Sequence, residues 1–149
     1  MNRRRVLLLG VLIPATGLLS ACGRSGQWAP GMVEIKWDRD VCTRCKMIIS
    51  DRRFATEVCG GPDSVCHKFD DIGCAVTWLA DQVWRDEATT RIFVADYEHP
   101  ATQWLDARTA QFLPERSSPM GYNYAAVSAP QTGSLDFGEL RNRLAKGPG

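Results

Sequence analysis

The chain has 149 residues, of which 44% are hydrophobic and 23% charged, with 18 basic residues against 17 acidic ones. This length and composition predict one globular domain with a hydrophobic core. The near-neutral charge excludes a chain that holds nucleic acid through a global positive field.

The first 21 residues have the layout of a bacterial export signal. Three arginines precede an apolar stretch that begins at Val6. The stretch is shorter than a membrane span and ends in "LLSAC", which is similar to the lipobox of bacterial lipoproteins with cleavage before Cys22. We therefore predict a mature protein that is anchored by lipid on Cys22 to the periplasmic side of a bacterial membrane. A plain secretory signal is the alternative, and the sequence leaves open the export route and the choice of inner or outer membrane.

The cysteine count of the mature chain points to a protected thiol. The whole chain has six cysteines, and five are left if Cys22 carries lipid. Because five is odd, at least one thiol escapes intramolecular disulfide pairing in a compartment that oxidises thiols. A bound metal ion is one way to protect it.

The mature chain is predicted to be a short tether followed by one α+β domain. Residues 22–32 are rich in Gly, Ser and Pro, which is typical of a flexible linker. Residues 33–149 are expected to form two small strand-rich sub-units, about 41–98 and 99–144, each covered by a helix. In chain order the predicted elements are strands at 47–50, 54–61 and 64–69, a helix within 70–86, strands at 91–97, 103–107, 110–114 and 123–129, and a weak helix at 136–144.

The longer helix is indicated by one apolar face. Ile72, Val76, Leu79 and Val83 recur at helical spacing, and either of the two preceding aspartates, Asp70 and Asp71, can cap the N-terminus.

The stretch "VCTRCKMIIS" contains the most informative sulfur residues. Cys42 and Cys45 form a Cys-x-x-Cys pair, which suits a redox couple, a metal site or a structural disulfide. If the segment is a loop running into a strand, Cys45 and Met47 point the same way at i and i+2, and Cys42 can fold over them. A mixture of thiolate and thioether ligands is soft and favours Cu(I) over zinc. Arg44 and Lys46 between the sulfur residues should favour the thiolate form.

Met120 lies in a second sulfur-bearing segment, "SSPMGYNYAAV". Pro119 before it and Gly121 after it restrict the backbone to an unusual turn. A methionine on a constrained turn among polar neighbours is a plausible third metal ligand, and a methionine that simply begins the following strand is the alternative.

The other cysteines favour structural roles. Cys59 and Cys66 flank the turn "GGPD" and could oppose each other across a hairpin as a disulfide or as packed thiols, with metal binding beside His67 as the alternative. Cys74 lies far from the main apolar stripe of the predicted helix, so packing or a free thiol is expected there rather than metal binding.

Four blocks of the sequence, taken in order, resemble the nitrous oxide reductase accessory lipoproteins, the NosL family. The blocks are "CTRCKMII", "FDDIGC", "VADYEHPATQWLDARTAQFLP" and "PMGYNYAAV", and they span roughly residues 41–140. Members of the family are membrane-anchored bacterial copper proteins. The resemblance implies Cu(I) bound by Cys45, Met47 and Met120, with Cys42 or a histidine as a further ligand, and a fold related to part of organomercurial lyase.

The chain departs from the family pattern at two places. Lys46 stands where glycine is common, so a backbone conformation with positive φ would be strained there. The segment after "AAVSAP" is shorter than usual, which puts delivery to the usual recipient in more doubt than copper binding.

The sequence thus predicts a lipid-anchored Cu(I) metallochaperone. Its expected partners are the membrane, through its lipid, and an apo copper enzyme or its assembly complex, which by resemblance is nitrous oxide reductase in denitrification; no nucleic acid is expected. No general base, nucleophile pair or phosphate loop is visible, so an enzyme is not expected. The alternatives are an envelope thiol–disulfide oxidoreductase that uses Cys42 and Cys45, and a structural zinc domain on Cys42, Cys45, Cys66 and His67.

Overall fold

The computed structural model describes residues 28–147, which form a four-stranded sheet, a two-stranded sheet and two helices. The predicted α+β class is confirmed. The predicted signal peptide and Cys22 lie outside the described residues. In chain order the elements are β1 (Thr56–Gly60), β2 (Val65–Phe69), α1 (Ile72–Ala80), β3 (Arg91–Ala95), β4 (Trp104–Asp106), β5 (Gln111–Leu113), β6 (Ala125–Val127) and α2 (Phe137–Ala145).

The larger sheet has the strand order β2-β1-β3-β4, and every neighbouring pair is antiparallel. β1 is central, and all five of its residues are buried. It pairs with β2 through the predicted hairpin around residues 61–64.

Helix α1 is shorter than its apolar pattern predicts. Asp71 caps it by accepting a hydrogen bond from the Gly73 N–H at 3.0 Å, which leaves Asp70 outside the helix. The helix ends at Ala80, and Val83 is 96% exposed, so the prediction that Val83 extends the buried face was wrong. Trp84 explains the difference: because the chain turns after the helix, this large ring is buried within the core.

The second half of the chain contributes to both sheets. The segments 103–107 and 110–114 flank a turn as predicted, but β4 pairs with β3 whereas β5 pairs with β6. The four-stranded sheet therefore extends beyond residue 98, where the first sub-unit was predicted to end. Helix α2 begins at Phe137 behind Asp136, whose carboxylate accepts a hydrogen bond from the Glu139 N–H at 2.8 Å.

One hydrophobic core joins the two halves. Ile72 and Val76 of α1 belong to the same buried cluster as Phe112 of β5 and Leu140 of α2. Within the described residues, neither helix has the length and apolar character needed to cross a membrane.

Candidate metal centre

Residues 41–48 form a closed loop beside the larger sheet. An isolated bridge joins Val41 to Ile48, the Cys42 N–H donates to the Met47 carbonyl at 2.8 Å, and the Lys46 N–H donates to the Cys42 carbonyl at 3.0 Å. The Thr43 N–H donates to the carbonyl of Lys68 in β2 at 2.8 Å, which holds the loop against the sheet.

The predicted strand at 47–50 was wrong, because this segment makes only the single bridge at Ile48. Cys45 lies in the turn itself, and Lys46 has a φ of 66°. This is the left-handed conformation that favours glycine, the residue common in the family at this position. Cys45 and Met47 therefore do not share one face of a strand, as the spacing of two residues had predicted. The Cys45 side chain is half-buried, whereas that of Met47 is 52% exposed.

Cys42, Cys45, Asp70 and Cys74 form a compact group, hereafter the thiol–carboxylate cluster. Three sulfur atoms and one carboxylate oxygen all lie within 4.8 Å of one another. Cys42, Asp70 and Cys74 are buried, and Cys45 is half-buried. The Cys45 thiol donates to the two carboxylate oxygens of Asp70 at 3.4 and 3.5 Å. This set of donor atoms could hold a metal ion.

The cluster favours one thiolate and opposes a second. The Cys74 thiol donates to Cys42, and together with the N–H groups of Cys45 and Asp70 this lowers the pKa of the Cys42 thiol to about 4. Burial raises the pKa of Cys45 to about 11, with the Cys42 charge acting in the same direction. The hydrogen bond to Cys42 raises the pKa of Cys74, and burial raises that of Asp70 to about 6. Near neutral pH, a cation entering the cluster therefore meets the Cys42 thiolate and the Asp70 carboxylate, and it displaces protons from the Cys45 and Cys74 thiols.

Sequence reasoning missed two members of this cluster. Asp70 was considered only as a helix cap, and Cys74 was placed outside the metal site because it lies off the main apolar face. α1 is buried on more than one side, however, and Cys74 in its first turn packs against the loop that carries Cys42. The sequence did contain a signal for both residues, because Asp70 and Cys74 lie on either side of the predicted helix start within the block "FDDIGC".

The segment that carries Met120 is hydrogen-bonded to Asp71 at the start of α1, one residue after Asp70 of the cluster. The Met120 N–H donates to the Asp71 carboxylate at 3.3 Å, and the Ser118 hydroxyl donates to the same oxygen at 2.6 Å. Arg44 of the loop donates to the Tyr122 hydroxyl at 3.0 Å. The constrained turn around Met120 is thus fastened to both segments that carry the cysteines.

Cys59 and Cys66 lie elsewhere, opposite each other in the β1–β2 hairpin, and form a disulfide. His67 packs against Trp78, with ring centroids 4.5 Å apart, and burial lowers its pKa. His99 lies on a loop beside Asp96. Neither histidine belongs to the thiol–carboxylate cluster.

The positions of the cysteines weigh against the two alternative functions, a structural zinc domain and a thiol–disulfide oxidoreductase. The zinc quartet is not assembled, because Cys66 is bound to Cys59 while Cys42 and Cys45 lie in the thiol–carboxylate cluster. Cys42 and Cys45 lie in a loop that precedes β1 and are not on the consecutive elements β2, α1 and β3, whereas a thioredoxin-like redox pair is expected beside a βαβ unit.

One family model matches the part of the chain that contains this site. The family model described as NosL matches residues 33–133, which contain the loop, the cluster and Met120. No curated protein sequence matches the chain. NosL is a copper-binding accessory family rather than an enzyme family, and the three clustered cysteines are suited to holding a metal. The chain belongs to the NosL family.

Proposed function

We propose that this protein is a membrane-anchored periplasmic metallochaperone that carries Cu(I) to a copper enzyme under assembly, nitrous oxide reductase being the recipient that the family suggests. The observation that carries the proposal is the thiol–carboxylate cluster, in which three thiols lie around one buried carboxylate. Sulfur-rich sites favour Cu(I), because soft ligands match a soft ion.

The graded exposure of the sulfur atoms suggests how the ion is exchanged. Cys42 and Cys74 are fully buried, Cys45 is half-buried, and Met47 is 52% exposed on the same loop. A ligand from the partner can reach the ion first at Cys45 and Met47 and displace the sulfurs one at a time. The backbone of Met120 is hydrogen-bonded at the same end of α1, and this supports a role for its thioether in completing the coordination as the exchange proceeds.

The cluster offers an entering cation one thiolate and one carboxylate. Cys42 is the one sulfur whose pKa is well below its ordinary value, and its thiolate neutralises Cu(I). Asp70, whose pKa is raised by burial to about 6, supplies a second negative charge near pH 7, whereas the raised pKa values of Cys45 and Cys74 keep both thiols protonated until an ion displaces the protons. The preference for Cu(I) over Zn(II) therefore rests on the three soft sulfur ligands and not on the charge of the cluster.

Anaerobic titration of the reduced mature chain tests this proposal. We expect one Cu(I) per chain to be taken from a chromophoric Cu(I) chelator, and an excess of Zn(II) to leave that binding unchanged. The disulfide variant Cys59→Ser with Cys66→Ser is the matched control, because it removes two sulfurs outside the cluster and should keep the same stoichiometry. Displacement of Cu(I) by equimolar Zn(II) would contradict the proposal.

A further inference from the structure

A cavity of about 500 Å³ lies between α1 and α2. Its α1 wall comes from the second half of that helix, Val76 to Ala80, whereas the thiol–carboxylate cluster is at the helix start. The cavity shares no residue with the cluster, so the copper function does not account for it. Its volume is in the range typical of small-molecule sites, about 300–1,000 Å³.

The lining is mainly aliphatic, with a cationic component. Five large apolar side chains line it: Val76, Leu79, Ile92, Phe137 and Leu144. Three arginines, Arg85, Arg108 and Arg141, also line it, and no acidic residue does. An apolar cavity with several guanidinium groups and no carboxylate is complementary to an apolar molecule that carries a negative charge.

The arginines are only partly neutralised by the protein. Asp86 is 3.3 Å from Arg85 Nε and 3.7 Å from Arg141 Nη1, so one carboxylate serves both. Arg108 donates to the backbone carbonyls of Thr90 and Arg85 and forms no ion pair among the residues of the described part. Three positive charges against one negative charge leave an excess of positive charge at the cavity.

We propose that this cavity binds a free aliphatic carboxylic acid, with its chain against the apolar wall and its carboxylate held by the arginines. Guanidinium groups recognise carboxylates with two parallel hydrogen bonds, which gives both orientation and selectivity over a neutral head group. Arg141 is the most available partner, because its side chain is 47% exposed and its contact to Asp86 is long.

Binding of decanoate to the mature chain without lipid tests the proposal, with decanol as the neutral probe of the same chain length. By isothermal titration calorimetry we expect decanoate to bind at least about tenfold more tightly than decanol, since charge-assisted bonds are about twice as strong as neutral ones. Arg141→Gln should remove most of this preference while leaving decanol binding unchanged. The matched control is Arg143→Gln, two residues further along α2, because Arg143 pairs with Glu139 and does not line the cavity.

A second variant tests the location. Ala80→Trp should fill the cavity and abolish binding of both probes, while Cu(I) affinity stays the same because the cluster is untouched. Absence of decanoate binding, equal affinity for decanol, equal effects of Arg141→Gln and Arg143→Gln, or unchanged binding to Ala80→Trp would each overturn the proposal. Binding only to vesicles of phosphatidylglycerol would also overturn it, since that result indicates attraction to a charged membrane surface.

Discussion

The ring of Tyr122 lies against the backbone of Gly73 at the start of α1, so closely that a Cβ on Gly73 would be 2.0 Å from Tyr122 Cγ. This contact holds the segment that carries Met120 against the helix that carries Cys74. Arg44, between Cys42 and Cys45, completes the connection by donating to the Tyr122 hydroxyl. The methionine and the cysteines are therefore positioned by one packing interaction between distant parts of the chain.

Gly73→Ala should displace Tyr122 and loosen the Met120 segment. We expect the free energy of unfolding to fall by about 1–3 kcal/mol, the usual cost of overpacking a core site, and Cu(I) affinity to fall with it. Gly138→Ala is the matched control, because Gly138 is likewise the second residue of its nine-residue helix, and its added Cβ would meet only the Asp136 side chain at 3.3 Å. Chemical denaturation and competition titration measure the two effects. Equal stability of the two variants would show that the Tyr122 contact is unimportant.

Single substitutions should rank the sulfur residues by their contribution to Cu(I) affinity. Cys42→Ser and Cys45→Ser should each weaken binding by at least about 100-fold, above the range typical of outer-shell changes. Cys74→Ser should also weaken it, since Cys74 shares the cluster. Met47→Ala and Met120→Ala should cost less, because a thioether brings no charge.

Competition with a Cu(I) chelator measures this series, and circular dichroism checks that each variant folds. Cys66→Ser with Cys59→Ser serves as the reference for loss of sulfur outside the cluster. If neither methionine variant changes the affinity, the copper site consists of the thiol–carboxylate cluster alone. If Cys74→Ser binds as tightly as the wild type, Cys74 is a packing residue.

Glu57 should make the fold less stable as the pH rises. Its side chain is fully buried in β1, one oxygen accepts from the Val33 N–H at 2.8 Å, and the other has no hydrogen-bond partner among the described residues. Burial raises the pKa of Glu57 from 4.5 to about 7, with Lys68 opposing the shift. Because the folded state holds this proton more tightly than the unfolded state, its stabilising effect is complete below about pH 4.5 and is lost as the pH rises through about 7.

Glu57→Gln should remove this component of the pH dependence. Above pH 7 we expect the variant to gain up to about 3 kcal/mol relative to the wild type, since one pKa unit corresponds to about 1.4 kcal/mol. Urea denaturation at pH 5 and pH 8 measures the difference, and Glu139→Gln, on the exposed face of α2, is the control. A difference between Glu57→Gln and wild type that is the same at both pH values would contradict the assignment to Glu57.

Cys22→Ser should release the protein from membranes without weakening Cu(I) binding. The lipid is predicted on Cys22, and the tether separates it from the domain, so the thiol–carboxylate cluster does not depend on the anchor. Fractionation of cells expressing the variant, followed by copper titration of the soluble protein, measures both effects. A variant that stays in the membrane fraction would place the anchor elsewhere.

The sequence by itself determined the fold class and the family, because these depend on local patterns and on blocks that can be read along the chain. The resemblance to the family drew attention to Lys46, where glycine is common, and the structure gives this residue a positive φ of 66°. The relation to organomercurial lyase, the recipient enzyme and the lipid anchor stay predictions.

Tertiary structure decided the composition of the cluster. Asp70 and Cys74 join Cys42 only because α1 packs its first turn against the loop, a contact between residues about thirty positions apart that helical periodicity does not encode. The same packing turns the chain after Ala80 to bury Trp84, and it separates two neighbouring segments, β4 and β5, into different sheets. A pattern along the chain shows which side chains avoid water, whereas the choice of partner depends on how all the buried surfaces fit together.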